Sequence, residues 1–121
     1  MSYLRPPRRR ERSRFFDIDL ELELDEKGWQ ADVMATAERC GWQLRYHTFD
    51  SRRSTAGFPD LVLVRAPRVI FAELKRNDQR PTAEQWRWIN ELGDCDGVEA
   101  YIWCPDDRAT VDRILSQRNR P

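Results

Sequence analysis

Residues 57–75 read GFPDLVLVRAPRVIFAELK. Two apolar runs, Leu61 to Val64 and Val69 to Leu74, flank Arg65-Ala66-Pro67-Arg68, a spacing suited to a β-hairpin. Strands that are apolar at successive positions are usually covered on both faces, so this hairpin is expected in the middle of a sheet. A turn centred between Ala66 and Pro67 sets Asp60 opposite Glu73. Proline fits poorly in the tightest two-residue turns, which leaves room for a slip in register, yet a small slip still keeps the two carboxylates close. Alternation along the second strand points Glu73 and Lys75 to one face and Leu74 to the other.

The flanking sequence supplies the rest of a sheet and its helices. Upstream, Asp25 is placed to cap a helix from Glu26 to Arg39, with Trp29, Val33 and Ala37 repeating every fourth residue and Gly41 ending it. Trp42 to Phe49 has strand character, and Asp50 to Gly57 reads as a polar loop carrying Arg52 and Arg53. Downstream, Thr82 and Gln85 form the signature of a capping box before a helix bearing Trp86, Ile89 and Leu92 and ending near Gly93. Val98 to Trp103 is the next strand, expected parallel to a neighbour because a helix precedes it. Asp107 can then cap a last helix carrying Val111, Ile114 and Leu115. The pattern predicts an α/β fold, a mixed central sheet flanked by helices.

At 121 residues the chain fits one domain, and its five Trp and 40% apolar residues suffice for a packed core. We expect an arm over residues 1–15 and a single domain over 16–121. No apolar run reaches the length of a membrane span or a signal peptide, which predicts a cytoplasmic, non-membrane protein. Cys40, Cys95 and Cys104 fall into no paired or metal-binding spacing and read as small apolar residues or surface thiols.

A net charge of zero conceals segregation. Residues 1–14 carry six Arg, including Arg8, Arg9 and Arg10, against one Glu, and form either a phosphate-contacting arm or a solvated tail. Residues 16–25, FDIDLELELD, alternate strictly between apolar and acidic, the period of a strand with one wet face. Its row of like charges would resist edge pairing unless a basic partner such as the Arg arm covered it.

Asp60 and Glu73 at strand ends form an oxygen-rich pair suited to Mg²⁺ or Mn²⁺. With Lys75 beside them, the arrangement suits phosphodiester hydrolysis. An ion would polarise the phosphoryl oxygens, and the ammonium would stabilise developing negative charge. A structural alternative is that Asp60 caps a turn while Glu73 pairs with Lys75. Of 21 basic residues only Lys27 and Lys75 are lysine, so a compact ammonium has been placed at position 75 in an Arg-biased chain. Gln85 serves either the site or only the helix cap. His47, without a nucleophile or base beside it, reads as structural. Arg52 and Arg53 are candidate phosphate contacts.

Gly57-Phe58-Pro59-Asp60, then Glu73-Leu74-Lys75, then Gln85, together with Gly41-Trp42, Tyr46-His47-Thr48 and Ser51-Arg52-Arg53, resemble the VRR-NUC family of the PD-(D/E)xK nuclease superfamily. The likeness spans roughly residues 26–105. It implies a restriction-endonuclease-like core and a Mg²⁺- or Mn²⁺-dependent deoxyribonuclease. In that reading Asp60, Glu73 and the backbone carbonyl of Leu74 bind the ion, Lys75 and Gln85 assist catalysis, and Glu26 adds an acid, with Glu23 and Glu38 as lesser candidates. It further implies a homodimer acting on branched DNA such as four-way (Holliday) junctions, or on duplex DNA, a DNA-repair type of activity. The other class of reading is a catalytically silent nucleic-acid-binding module or a subunit of a larger complex.

Overall fold

The computed structural model describes residues 25–49 and 54–119. The first helix, α1 (Glu26–Arg39), starts where Asp25 accepts a hydrogen bond from the Gly28 amide at 2.7 Å. It buries Trp29, Val33 and Ala37, one residue per turn of a single stripe. The chain then turns through Gly41, whose φ of 84° lies in the left-handed region that favours glycine.

Four strands follow: β1 (Leu44–His47), β2 (Leu61–Arg65), β3 (Arg68–Leu74) and, after α2 (Ala83–Gly93), β4 (Val98–Trp103). They form one mixed sheet in the order β1-β2-β3-β4, antiparallel except for the parallel β3–β4 pair. A 3₁₀ turn (Pro105–Asp107) leads into α3 (Arg108–Ser116). No helix among the described residues is long and apolar enough to cross a membrane.

The helices divide between the two faces. α1 and α3 cover one side, where Trp29, Val33 and Ala37 pack with Leu61, Leu63, Ile70, Ala72 and Leu74, and with Val111, Ile114 and Leu115. Two indoles pin this layer through long-range bonds, Trp29 Nε1 donating to the Trp103 carbonyl at 3.1 Å and Trp42 Nε1 to the Leu115 carbonyl at 2.8 Å. On the opposite side α2 seats Ile89 on Ala100 and Ile102. Its start is the expected capping box, with Thr82 and Gln85 exchanging bonds.

The hairpin keeps the unslipped register. Arg65 pairs with Arg68 and Leu61 with Ala72 across the two-residue Ala66-Pro67 turn, whose peptide bond is cis. Three expectations change. β1 covers Leu44–His47 rather than Trp42 to Phe49, because the Trp42 side chain is drawn into the core before pairing begins. Asp107 stands at the N-cap of α3, but its carboxylate folds back to accept from the Cys104 amide at 3.1 Å and does not cap that helix. β2 and β3 are not covered on both faces: Val62, Val64, Val69 and Phe71 stay half-buried among the described residues. The predicted strand over residues 16–25, apart from Asp25, and the arm over residues 1–15 lie outside the described residues.

At the turn end, a buried ion pair ties hairpin, β4 and C-terminal helix together. The Arg68 Nε and Nη2 donate to Glu99 at 2.8 and 2.7 Å, and Tyr101 adds a bond to the same carboxylate at 2.8 Å. Arg68 Nη1 reaches the Ile114 and Gln117 carbonyls at 2.8 and 2.6 Å, while its guanidinium lies 4.9 Å from the Trp42 ring centroid. All three guanidinium nitrogens and both carboxylate oxygens in this pair are engaged, which is what makes a buried charge tolerable.

Candidate active site

The other end of the sheet carries the acids. The β2–β3 register brings Asp60, one residue before Leu61, beside Glu73 near the end of β3. Asp60 Oδ2 accepts from the Leu74 amide at 2.8 Å. Its own backbone is clamped by Thr48, whose amide donates to the Asp60 carbonyl at 2.8 Å and whose hydroxyl donates to the Pro59 carbonyl at 2.6 Å. The approach to Asp60 is shaped by Gly57, where φ is 84° and an added Cβ would come within 2.5 Å of the Glu84 backbone on α2. Phe58 then packs edge-on against Trp88 and Phe71, with centroids 5.1 and 6.3 Å apart.

Glu73 is only 2% exposed, yet its Oε1 has no hydrogen-bond partner in the structure. Oε2 lies 3.7 Å from the Lys75 ammonium, an ion pair longer than a good hydrogen bond. Burial raises the Asp60 carboxyl above its ordinary range against the pull of the Leu74 amide, of a hydrogen bond with Glu73 and of Lys75, with the Glu26 charge adding to the rise. Glu73 is pushed up to about 9, first by burial, then by the Asp60 charge, with Lys75 opposing. The hydrogen bond between the acids lowers Asp60 and raises Glu73, and burial raises both, so the pair favours holding a proton between its two carboxyls.

The predicted residues divide by position. Asp60, Glu73 and Lys75 are brought together, with Glu73 and Lys75 on one face of the sheet as the alternation implied. Glu26, exposed at the start of α1, acts on both acids through its charge. Among the described residues no group of three or more His, Cys, Asp or Glu side chains is close enough to hold a metal ion, so Glu26 does not close a three-acid cluster. Glu38, near the far end of α1, is 4.0 Å from Arg45. Gln85 uses Oε1 to accept from the Thr82 amide at 2.8 Å, which leaves its amide nitrogen and one lone pair of Oε1 for any other partner. Arg8, Arg9, Arg10, Glu23, Arg52 and Arg53 lie outside the described residues. His47 is exposed at the end of β1, its ring 5.3 Å from that of Phe49.

One contributor escaped the sequence reading: the Leu74 amide, which holds Asp60, is a backbone group that any residue supplies. Thr48 entered only within the Tyr46-His47-Thr48 likeness, with no role of its own.

A divalent cation fits this donor set on one observation: a carboxylate oxygen is buried, unpartnered and adjacent to a second carboxylate whose charge is also disfavoured by burial. Buried polar atoms are ordinarily satisfied, so an orphan oxygen at a two-acid site is where a hard cation would be held. No family model, curated protein or solved structure matches the chain.

Proposed function

We propose that the chain is a metal-dependent nuclease with a restriction-endonuclease-like core that hydrolyses DNA phosphodiester bonds, with branched DNA as its preferred substrate and a homodimer as its working form. The observation that carries this reading is the buried Asp60–Glu73 pair with its orphan Glu73 Oε1 and the Lys75 ammonium alongside. The family resemblance in the sequence points the same way and is the source of the branched-DNA and dimer components.

In this reading Asp60, Glu73 and the Leu74 carbonyl hold Mg²⁺ or Mn²⁺. The ion supplies Lewis acidity toward the phosphoryl oxygens and lowers the pKa of water. The chain's own groups do the positioning. The Thr48 and Leu74 bonds keep Asp60 from rotating, so the donor set is preorganised and little reorganisation accompanies the reaction. Lys75, on the same face as Glu73, sets a cation where negative charge develops on a bound phosphate. The Glu73 proton must leave before its carboxylate can coordinate, so metal affinity rises with pH up to about 9.

The Asp60–Leu74 bond and the absence of a three-acid group among the described residues favour the opposing reading, a binding module that keeps this geometry as structure. Labelled four-way junction, flap, duplex and single-stranded DNA, incubated with Mg²⁺, Mn²⁺ or EDTA, separate the two. Metal-dependent cleavage by the wild type, lost in a folded Asp60→Asn variant, is expected. Cleavage of duplex alone would keep the nuclease and remove the preference for branched DNA. No cleavage of any substrate by folded protein would sink the reading.

A further inference from the structure

α2 meets the sheet through Ile89, with Trp86 and Leu92 packed beside it on Ala100 and Ile102. Trp88 does not belong to that stripe. Glu84, Arg87, Trp88 and Glu91 stand at i, i+3, i+4 and i+7, one face of the helix. With Thr55 and Ala56 opposite, they line an open cleft of about 420 Å³ whose walls are mainly apolar.

The wall opposite α2 is held in place. The Thr55 carbonyl accepts from the Phe58 amide at 3.1 Å, closing the turn that carries Ala56. Gly57 comes so near α2 that only a residue without a side chain fits against the Glu84 backbone. The Phe58 ring then meets the Trp88 indole at 78°, which fixes the aromatic wall of the cleft.

We propose that this cleft receives an unpaired nucleobase of the DNA bound at the Asp60–Glu73 site, with Trp88 as the residue that selects for it. The inference rests on the nuclease reading and names the feature of branched DNA that the chain would recognise.

Size and chemistry agree on a base. Clefts of about 300–1,000 Å³ are those that hold small organic ligands. An indole offers a face on which any base stacks. Arg87 lies within one turn of both Glu84 and Glu91, so the rim carries one cation against two carboxylates. That balance disfavours a phosphate. It suits the amino and ring N–H groups on a base edge, for which carboxylates are acceptors.

Position ties the cleft to the acids. Glu73 aligns with Ile102, one of the residues on which α2 rests, so both features lie on the same side of the sheet. Phe58 bridges them, touching Trp88 on one side and Phe71, two residues before Glu73, on the other. Ala56 is four residues from Asp60, so their backbones are at most about 14 Å apart. A B-form strand covers that distance in about four nucleotides at about 3.4 Å each, and an unstacked strand in fewer. A base inside a duplex has its faces stacked and its edge paired, so only one that has left the stack can enter. Branch points of junctions and flaps supply such bases.

Four-way-junction and flap DNA carrying one abasic nucleotide, stepped position by position through the branch point, tests this. Binding is read by fluorescence anisotropy in EDTA and again in Ca²⁺. At one or two neighbouring positions, loss of the base should weaken binding about tenfold. Trp88→Leu, which keeps an apolar side chain against Phe58, should weaken binding of intact DNA by a similar factor and binding of that abasic DNA no further. A scan flat at every position overturns the proposal and leaves the cleft to another ligand, such as the ammonium that an indole also suits. So does an equal loss on intact and abasic DNA in folded Trp88→Leu, which would make the indole purely structural. Cleavage of the same substrates in Mg²⁺ separates this outcome from the nuclease reading. A flat scan with cleavage intact removes the base cleft alone, whereas a position-dependent scan without cleavage removes the nuclease and keeps the cleft.

Discussion

Replacing Glu73 by glutamine should make the metal-free protein more stable. The carboxyl is 2% exposed, one oxygen has no partner, and the nearest cation is Lys75 at 3.7 Å from the other oxygen. Its pKa is raised from 4.5 to about 9 by burial and by the Asp60 charge. A carboxyl raised on folding contributes fully below its unfolded value, and that contribution is lost as pH climbs through the folded value. The loss accrues at about 1.4 kcal/mol per pH unit from 4.5 upward and levels off near 9. At pH 7 it amounts to about 3 kcal/mol, a large share of the stability of a domain this size.

Glutamine is neutral at every pH and can donate to Asp60 as protonated Glu73 does. Urea unfolding followed by tryptophan fluorescence in EDTA, at pH 5, 7 and 8.5, measures the difference. Near pH 5 the two proteins should be nearly equal, and the variant should gain progressively above that. Mg²⁺ should narrow the gap by stabilising only the wild type, since a ligand that binds the native state alone adds to its stability. A variant no more stable than wild type at pH 8.5, or an advantage that does not grow with pH, would refute the reasoning.

Three further outcomes follow from the geometry. Arg68→Met should cost about 3–5 kcal/mol in urea unfolding by stranding the buried Glu99 carboxylate, and Glu99→Met added to it should recover most of that loss. Gly57→Ala should lower both unfolding free energy, by at least about 1 kcal/mol, and DNA cleavage, because φ is 84° and the new methyl meets the Glu84 backbone at 2.5 Å just ahead of Asp60. Lys75→Arg should reduce cleavage about a hundredfold or more in a rate assay while leaving the urea midpoint nearly unchanged, since the guanidinium keeps the charge but not the compact placement beside Glu73.

The hairpin was readable because its information is local: two apolar runs, a short turn and a period of two leave few registers. That same register put Asp60, Glu73 and Lys75 together before any tertiary contact was considered. α1 was readable from Trp29, Val33 and Ala37, and α2 from the Thr82–Gln85 exchange. Charges whose partners lie far along the chain were not readable. Arg68 looked like a turn residue, and nothing near it announces Glu99, 31 positions away. Asp107 could satisfy either the helix ahead of it or the Cys104 amide behind it, and Pro105 in the intervening turn favours the nearer bond. Gln85 stays ambiguous because one amide has a cap to satisfy and a nitrogen to spare. The half-bare face was misread because continuous apolar runs signal burial without saying which chain segment supplies it.

The two buried glutamates of this sheet are the sharpest argument about purpose. Glu99, on β4, receives Nε and Nη2 of Arg68 and the Tyr101 hydroxyl, all within 2.8 Å. Glu73, one strand away on β3, is buried to the same 2% exposure, with an orphan oxygen and a second acid against it. The same fold thus satisfies a buried carboxylate fully where the role is structural. Burial and the Asp60 charge push the pKa of the other up to about 9, which lowers the stability of the metal-free state at neutral pH. A cost of that kind, concentrated at one end of a hairpin and beside the only lysine among the described strands and their flanks, is the observation on which the proposed cation site rests. Where Glu99 has an arginine bonded to both oxygens, Glu73 has a lysine 3.7 Å from Oε2, too distant for a good hydrogen bond.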